Sequence, residues 1–311
     1  MLSRTADHLY WMSRYLERAE NLARMIDAHQ RLSLLPRAPE AVRQGWQATL
    51  VSLGAGEAFF ERYEALTARA AFDFLAFDRQ HPGSIVHCLR TARENARAVR
   101  GTITSDIWET LNSTYLESLS FTAAMPESAR SEFLEWVKYR AHVTRGVTSA
   151  TLLRDEALYF TRIGTFIERA DSTTRLLESR WRDPGGRGER LRAEASEWGV
   201  LLRAMSAFEI FRRLYRDSVT PERVTEMLLM RDDLPQSVHR CLDELQSNLA
   251  AVANSRSEET RRRVGELHAR FHFGRFEDFR AEGLPHFLDR FQARLRELGA
   301  RIADDFLVPA S

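Results

Sequence analysis

The sequence predicts an all-α protein, an internally duplicated helical bundle of about twelve helices with pseudo-twofold symmetry. Three observations predict it. Apolar residues recur in steps of three and four along almost every long segment, and convincing period-two alternation is absent. The stretch Tyr15-Leu16-Glu17-Arg18-Ala19-Glu20-Asn21-Leu22-Ala23-Arg24 returns 151 residues later as Phe166-Ile167-Glu168-Arg169-Ala170-Asp171-Ser172-Thr173-Thr174-Arg175. Other landmarks return in the same order at nearly the same offset: Trp46 as Trp198, Tyr63 as Tyr215, the segment from Pro82 to Leu89 as that from Pro235 to Leu242, and Asn95 as Asn248. Unrelated amphipathic helices would not keep order and spacing together, so two repeats, about 1–153 and 154–311, are expected.

The elements follow in order. Leu9, Met12, Leu16, Ala19, Ala23 and Ile26 share one face, which places a first helix from Ser3 to about Ser33, ending near Pro36. Two shorter helices are expected around Trp46 and from Phe59 to Phe74. Pro82 suits a first helical turn, where its missing N–H costs little, and the helix it opens carries Cys88 to Val99. A break near Gly101 leads to a helix holding Trp108, Asn112 and Leu119, and Pro126 separates that from a helix through Phe133, Trp136 and Val143. Thr148 to Ala157 reads as continuous helix across the joint of the repeats. The break at Pro184-Gly185-Gly186-Arg187-Gly188 is read as a loop inside the second repeat, the counterpart of Pro36 to Pro39. Without a flexible linker at the joint, one integrated domain over 1–311 is expected.

The bulk composition narrows the function classes. A chain of 311 residues with 44% hydrophobic content can bury a large core. A net charge of +1 provides no global field for nucleic acid or an acidic membrane. Lys138 is the only lysine among 45 basic residues, so individual arginines are singled out by position and not by abundance. Two cysteines, Cys88 and Cys241, make no disulfide framework and fit a reducing compartment. The N-terminus lacks an apolar signal core, and no apolar run approaches the ~18 residues of a membrane span. A soluble cytoplasmic protein is expected.

The Glu-Arg helices are the first candidate site. At about 100° per residue, Glu17 and Arg24 lie about 20° apart on one face, with Asn21 and Tyr10 close by, and Glu168 and Arg175 reproduce the step. Arg18 and Arg169 sit at the edge of the apolar face, where a partly buried guanidinium needs a carboxylate or carbonyl partner. Two readings are open. An arginine of one repeat pairs with a glutamate of the other and sets how the halves pack, or the two helices face each other and line a polar cavity.

The second candidate is a cluster in one half only. Arg93, Arg97 and Arg100 fall within a wedge of about 60° on the helix after Pro82, and their counterparts are Gln246, Ala250 and Ala253. A packing requirement of a duplicated fold should appear twice, so this flank points to a carboxylate or phosphate ligand. Ser105, Trp108, Glu109 and Asn112 offer groups to complete a pocket, and the flank is expected to face the Glu-Arg helices.

Other chemistries find little support. There is no Gly-rich phosphate loop and no dinucleotide fingerprint, so no cofactor is assigned. No Glu-x-x-His occurs, which disfavours a di-iron bundle. His268 and His272 are four apart but lack a third ligand at sensible spacing, so no metal is assigned. Asp78 and His81 read as capping. Cys88, Cys241 and the paired Trp46/Trp198 and Tyr63/Tyr215 read as core.

Leu9 to Glu20, Ala92-Arg93-Glu94-Asn95-Ala96-Arg97 and Phe166 to Asp171 together resemble the bacterial alpha-E family, all-helical proteins named for a Glu-Arg motif. The similarity extends over the whole chain, including Phe77-Asp78 to Ser84 and Trp108 to Asn112. Glu17, Arg18, Glu168, Arg169, Arg93, Asn95 and Arg97 fall on the family's motif positions. Thr165 stands where the first copy has Arg14, and Ser172 where it has Asn21, which argues against a strictly symmetric site. The resemblance implies association with circularly permuted ATP-grasp proteins and transglutaminase-like peptidases, in pathways where a carboxylate is activated and attacked by an amine. The leading expectation is an accessory or catalytic component of an ATP-grasp-linked amide-forming system. Arg18, Arg24, Arg93, Asn95, Arg97, Arg100, Arg169 and Arg175 would bind substrate. Glu17 or Glu168 would orient these groups, or accept a proton if burial raised its pKa. The alternative is a non-enzymatic helical scaffold. No nucleic-acid or membrane partner is expected.

Overall fold

The computed structural model describes residues 1–33, 39–181 and 190–307. These residues form fifteen helices and no strand. The first half carries α1 (Ser3–Ser33), α2 (Pro39–Ser52), α3 (Gly56–Phe60), α4 (Ala68–Phe77), α5 (Ile85–Ala98), α6 (Ser105–Ser118) and α7 (Glu127–Thr151). The second carries α8 (Glu156–Trp181), α9 (Arg190–Ala204), α10 (Phe208–Tyr215), α11 (Pro221–Met230), α12 (Val238–Ala251), α13 (Glu258–His272), α14 (Phe276–Glu282) and α15 (Leu284–Phe306). No helix among the described residues is long and apolar enough to cross a membrane. The expected loop at Pro184 to Gly188, and Pro36, lie outside the described residues.

The helix count exceeds about twelve because short helices form where the sequence suggests one element or none. The segment from Phe59 to Phe74 divides into α3 and α4. Thr67 adopts extended backbone and its side chain accepts the N–H of Ala70, so a new helix starts there. Pro82 does not enter the first turn of α5. Ser84 caps that helix by accepting the His87 N–H, and Pro82 stays in the preceding turn. Ser237 caps α12 in the same manner through the Arg240 N–H. The joint is not continuous helix either. Leu152 is extended at the end of α7, and the Asp155 carboxylate accepts the Ala157 N–H at the start of α8. Asp78 caps a turn and not a helix start, accepting the N–H groups of Gln80 and His81 while pairing with Arg62.

Burial follows the predicted face of α1, with Leu9, Met12, Leu16, Ala19, Ala23 and Ile26 all in the core. One buried cluster runs from Ala6 to Leu307 and draws on both halves of the chain. Trp46 and Trp198 are buried in it, while Tyr63 and Tyr215 are partly buried and stack on Phe59 and Phe211.

At the centre, α1 and α8 lie against each other. α5 flanks α1 and α12 flanks α8, while α7 covers a third side of α1. Gly164 lets the central pair approach closely. A Cβ there would sit 2.3 Å from the Ser13 hydroxyl and 2.3 Å from the Tyr10 carbonyl oxygen.

Candidate functional site: the α1–α8 crossing and its arginine cavity

The crossing joins each motif glutamate to the other helix's motif arginine. Arg18 donates from Nε to Glu168 Oε1 at 2.6 Å and from Nη2 to Oε2 at 3.0 Å. Arg169 donates from Nε to Glu17 Oε1 at 2.7 Å and from Nη2 to Oε2 at 3.0 Å. Both are two-pronged guanidinium–carboxylate pairs, the geometry that planar arginine favours. Each glutamate holds a second arginine, Glu168 through Arg14 Nε at 2.8 Å and Glu17 through Arg145 Nη1 at 3.0 Å. Of the two open readings, the first describes the contacts: the arginine of one half pairs with the glutamate of the other.

This arrangement sets the protonation of Glu168. Burial alone raises a carboxyl pKa, but Arg14 and Arg18 outweigh it and hold Glu168 at about 2. The raised pKa that a proton-accepting role would require is absent there. Glu168 is a permanent carboxylate near neutrality and anchors arginines. The thiols beside the crossing are inert by a related cause. Cys88 and Cys241 are free and fully buried, and burial pushes both up to about 12.

The α7 helix adds a basic row that the sequence reading overlooked. Lys138, His142 and Arg145 follow a four- and three-residue step and meet acids of α1. Lys138 Nζ lies 3.0 Å from Asp27, and His142 Nε2 lies 3.1 Å from Glu20. Arg145 contacts Glu20 as well as Glu17. Although burial works against it, Glu20 is held well below the usual carboxylate range by His142, Arg145 and Arg24.

Between α1, α7 and α8 opens a cavity of about 340 Å³. Arg145, Arg154, Arg162 and Arg169 line it, together with Ser13, Thr144, Thr148, Ser149, Thr161 and Thr165. Among the described residues its lining contains no aspartate or glutamate. Three of the arginines are tethered from behind: Arg145 and Arg169 by Glu17, and Arg162 by Glu244. Arg154 is exposed and has no ion pair among the described residues. Thr144, Thr148, Thr161 and Thr165 each donate their hydroxyl to the carbonyl four residues back, so their remaining capacity is as acceptors. Thr165 stands where the offset places Arg14 in α1, and the smaller side chain leaves room for the cavity on this side of the crossing.

The other predicted residues go elsewhere. Arg24 pairs with Glu20 at 2.7 Å and donates to the Ala204 carbonyl at 2.6 Å, so Glu17 and Arg24 share a face but not a bond. Arg175 pairs with Asp171 at 2.7 Å and donates to the Ser52 carbonyl. The Arg93 flank does not face the crossing. Arg93 Nε donates to Asn112 Oδ1 at 3.0 Å, and its guanidinium lies over the rings of Trp108 and Tyr115, all on α6. The Arg100 guanidinium also lies over Trp108, 4.8 Å from the ring centre, and Arg97 is exposed beside Glu94. The wedge direction was legible from spacing, but which neighbour it would meet depended on α5 presenting that wedge to α6 and its opposite face to α1. Asn95, on that opposite face, lies 2.8 Å from His8 of α1.

The sequence signals for the missed residues were present but weak. Arg145 was detectable as part of the Lys138-His142-Arg145 row. Arg154 and Arg162 carry no pattern of their own, and Gly164 is one glycine within a helix.

Comparison with known proteins agrees with this architecture. Uncharacterised proteins of Mycobacterium bovis and of two strains of Mycobacterium tuberculosis are 27% identical to the chain over 327 aligned positions. The alignment covers 96% of this chain but only 35% of each relative, so the chain spans about a third of the length of the curated proteins it matches. No solved structure matches it. Residues 1–307 match the family described as "a predicted alpha-helical domain with a conserved ER motif", and the Glu17-Arg18 and Glu168-Arg169 pairs stand at the crossing of its two central helices. The chain belongs to the Alpha-E family.

Proposed function

We propose that this chain binds a carboxylate- or phosphate-bearing ligand in the α1–α7–α8 cavity, as an accessory or catalytic component of an ATP-grasp-linked system that forms peptide or amide bonds. The observation that carries the reading is a cavity lined, among the described residues, by four arginines and no acid. Its volume of about 340 Å³ falls in the range of small-molecule sites. Arginines would hold the anionic group, and the acceptor lone pairs of the threonines suit an ammonium or amide N–H on the same ligand. An amino acid or short peptide has both. A circularly permuted ATP-grasp protein is the partner that would activate the carboxylate, and a transglutaminase-like peptidase would act in the same pathway. The mycobacterial relatives extend far beyond the matched segment, an arrangement suited to a unit that works beside others. Glu17 and Glu168 serve here as anchors of the arginine array.

The two halves are read as repeats of one ancestral unit about a pseudo-twofold axis. The reciprocal Arg18–Glu168 and Arg169–Glu17 forks support this, as do the equivalent serine caps of α5 and α12. A scaffold role is the second reading, favoured by the complete pairing of both motif glutamates with arginine.

Arg154→Ala separates the two, because removing an exposed, unpaired guanidinium leaves no buried charge behind. Calorimetric titration with N-acetylglycine and with inorganic phosphate should show binding that weakens about tenfold in Arg154→Ala, a change of about 1.4 kcal/mol, at an unchanged melting temperature. Equal binding by both proteins, or none by either, overturns the ligand-binding reading. Reconstitution with an ATP-grasp partner, ATP and amino acids then tests the pathway. A product profile indifferent to the presence of this chain would leave the scaffold reading.

A further inference from the structure

The fold supplies the third ligand that the spacing of His268 and His272 lacks. α12 carries His239 and Asp243 one turn apart, and α13, packed against it, carries His268 and His272 one turn apart. One donor atom from each of the three imidazoles lies within 4.8 Å of the other two. The ring centres form a near-equilateral triangle, with separations of 5.2, 5.7 and 5.8 Å.

The hydrogen bonds around the triangle orient it. His239 Nδ1 lies 2.9 Å from the Met230 carbonyl oxygen, which can only accept, so the proton is on Nδ1. With the ring neutral, Nε2 carries a lone pair. That nitrogen is buried and has no hydrogen-bond partner, in a residue only 6% exposed. It points toward Asp243 Oδ1 at 3.7 Å, too far for a hydrogen bond. Asp243 in turn accepts from His268 Nε2 at 2.6 Å, which fixes that ring's tautomer and leaves its Nδ1 lone pair free. Three imidazoles and a carboxylate are thus grouped around a buried ring nitrogen that has no hydrogen-bond partner.

We propose that His239, His268 and His272 bind a divalent first-row transition metal of the zinc type, with Asp243 as the positioning carboxylate. Three imidazoles backed by a carboxylate form a donor set that suits zinc, cobalt or nickel better than magnesium or calcium. Around a tetrahedral ion with bonds of about 2.0–2.1 Å the donors stand about 3.4 Å apart, so the triangle contracts on binding. His272 is exposed and can supply that movement. The ion would clasp α12 to α13. By the offset, Val86 and Arg90 stand in the first half where His239 and Asp243 stand in the second, so among the described residues the site has no counterpart in the first half.

The test uses the untagged full chain, stripped with chelator. Titration with Zn²⁺ against a chromophoric competitor, and with Co²⁺ followed by visible absorption, should give one ion per chain. The Co²⁺ bands should have the intensity of four- or five-coordination. Asp243→Asn should weaken binding by about 10–100-fold, and His239→Ala and His272→Ala by at least about that much. His272 is exposed, so its variant keeps the test valid even if His239→Ala fails to fold. His286→Ala, an exposed histidine on α15, should change nothing. Failure to bind one ion per chain, or binding that survives His272→Ala undiminished, overturns the proposal.

Discussion

Arg169 and Glu17 meet across the α8–α1 interface through two parallel hydrogen bonds, and Arg18 and Glu168 make the same pair of bonds in the opposite direction. The two forks occupy the same atoms on both sides, so neither helix can rotate or slide without breaking both. A buried ion pair adds little net stability over a hydrophobic pair of like volume, yet removing one partner strands a buried charge.

Arg169→Ala should therefore cost about 3–5 kcal/mol, because Glu17 would remain buried with Arg145 as its main compensation. Replacing both members with Arg169→Met and Glu17→Leu should cost clearly less. Urea unfolding of the single and double variants measures the difference. A loss under about 1 kcal/mol in the single variant would show that the crossing does not depend on the fork.

Acid should weaken the crossing in a defined window. The folded pKa of Glu168 is depressed from 4.5 to about 2, so its stabilisation is fully present above the unfolded value and is lost as pH falls from about 4.5 toward 2. The full effect is about 3 kcal/mol. Glu20 is depressed too and acts in the same direction. Chemical unfolding across this range should show a steep decline for the native chain and a shallower one for Glu168→Gln. Parallel curves would contradict the assignment.

Gly164→Ala should destabilise the fold by about 1–3 kcal/mol or more, since the new Cβ meets a backbone carbonyl that has no room to move. Gly146 offers the contrast. It is exposed in the C-terminal part of α7, inside the helix, with open space around its Cβ position, so Gly146→Ala should stabilise by about 0.5–1 kcal/mol. Thermal melts of the two variants should move in opposite directions.

Cys88 and Cys241 should resist alkylation in the native protein, since burial both blocks access and raises the thiols to about 12. Their labelling rate should follow global unfolding as denaturant is added. Rapid reaction under native conditions would contradict their placement in the core.

Arg93→Ala should remove a hydrogen bond to Asn112 and two ring contacts, lowering stability by about 1–2 kcal/mol. It should leave ligand binding in the arginine cavity unchanged. Calorimetry with N-acetylglycine alongside Arg154→Ala distinguishes the two arginine groups.

Much of the helical plan was legible because helices are local. The 3.6-residue period marks α1, and its bounds Ser3–Ser33 follow from the apolar face and from Pro36 beyond it. The caps were less legible. Thr67 and Ser84 decide where α4 and α5 begin, and a hydroxyl gains that role only when the backbone before it is extended. Helical spacing places Arg93, Arg97 and Arg100 on one flank and Trp108 and Asn112 nearby, but not the direction of that flank: Arg93 meets Asn112, Trp108 and Tyr115 on α6 and not the Glu-Arg helices. The asymmetry that opens a cavity lies instead at Arg14 and Thr165.

By itself the sequence determined the all-helical class, the reach of the first helix and the Glu-Arg motifs as the charged centre, because periodicity and repeated order are written along one dimension. Tertiary structure alone decided which charge meets which. Arg18 and Glu168 are bonded while Glu17 and Arg24, closer in sequence and on one face, are not. Arg145, Arg154, Arg162 and Arg169 share one cavity, and His239 joins His268 and His272. Helical spacing states only that side chains share a face. The crossing of α1 with α8 and the packing of α12 on α13 choose what that face confronts, and at those contacts burial turns an ordinary charge into an anchored one.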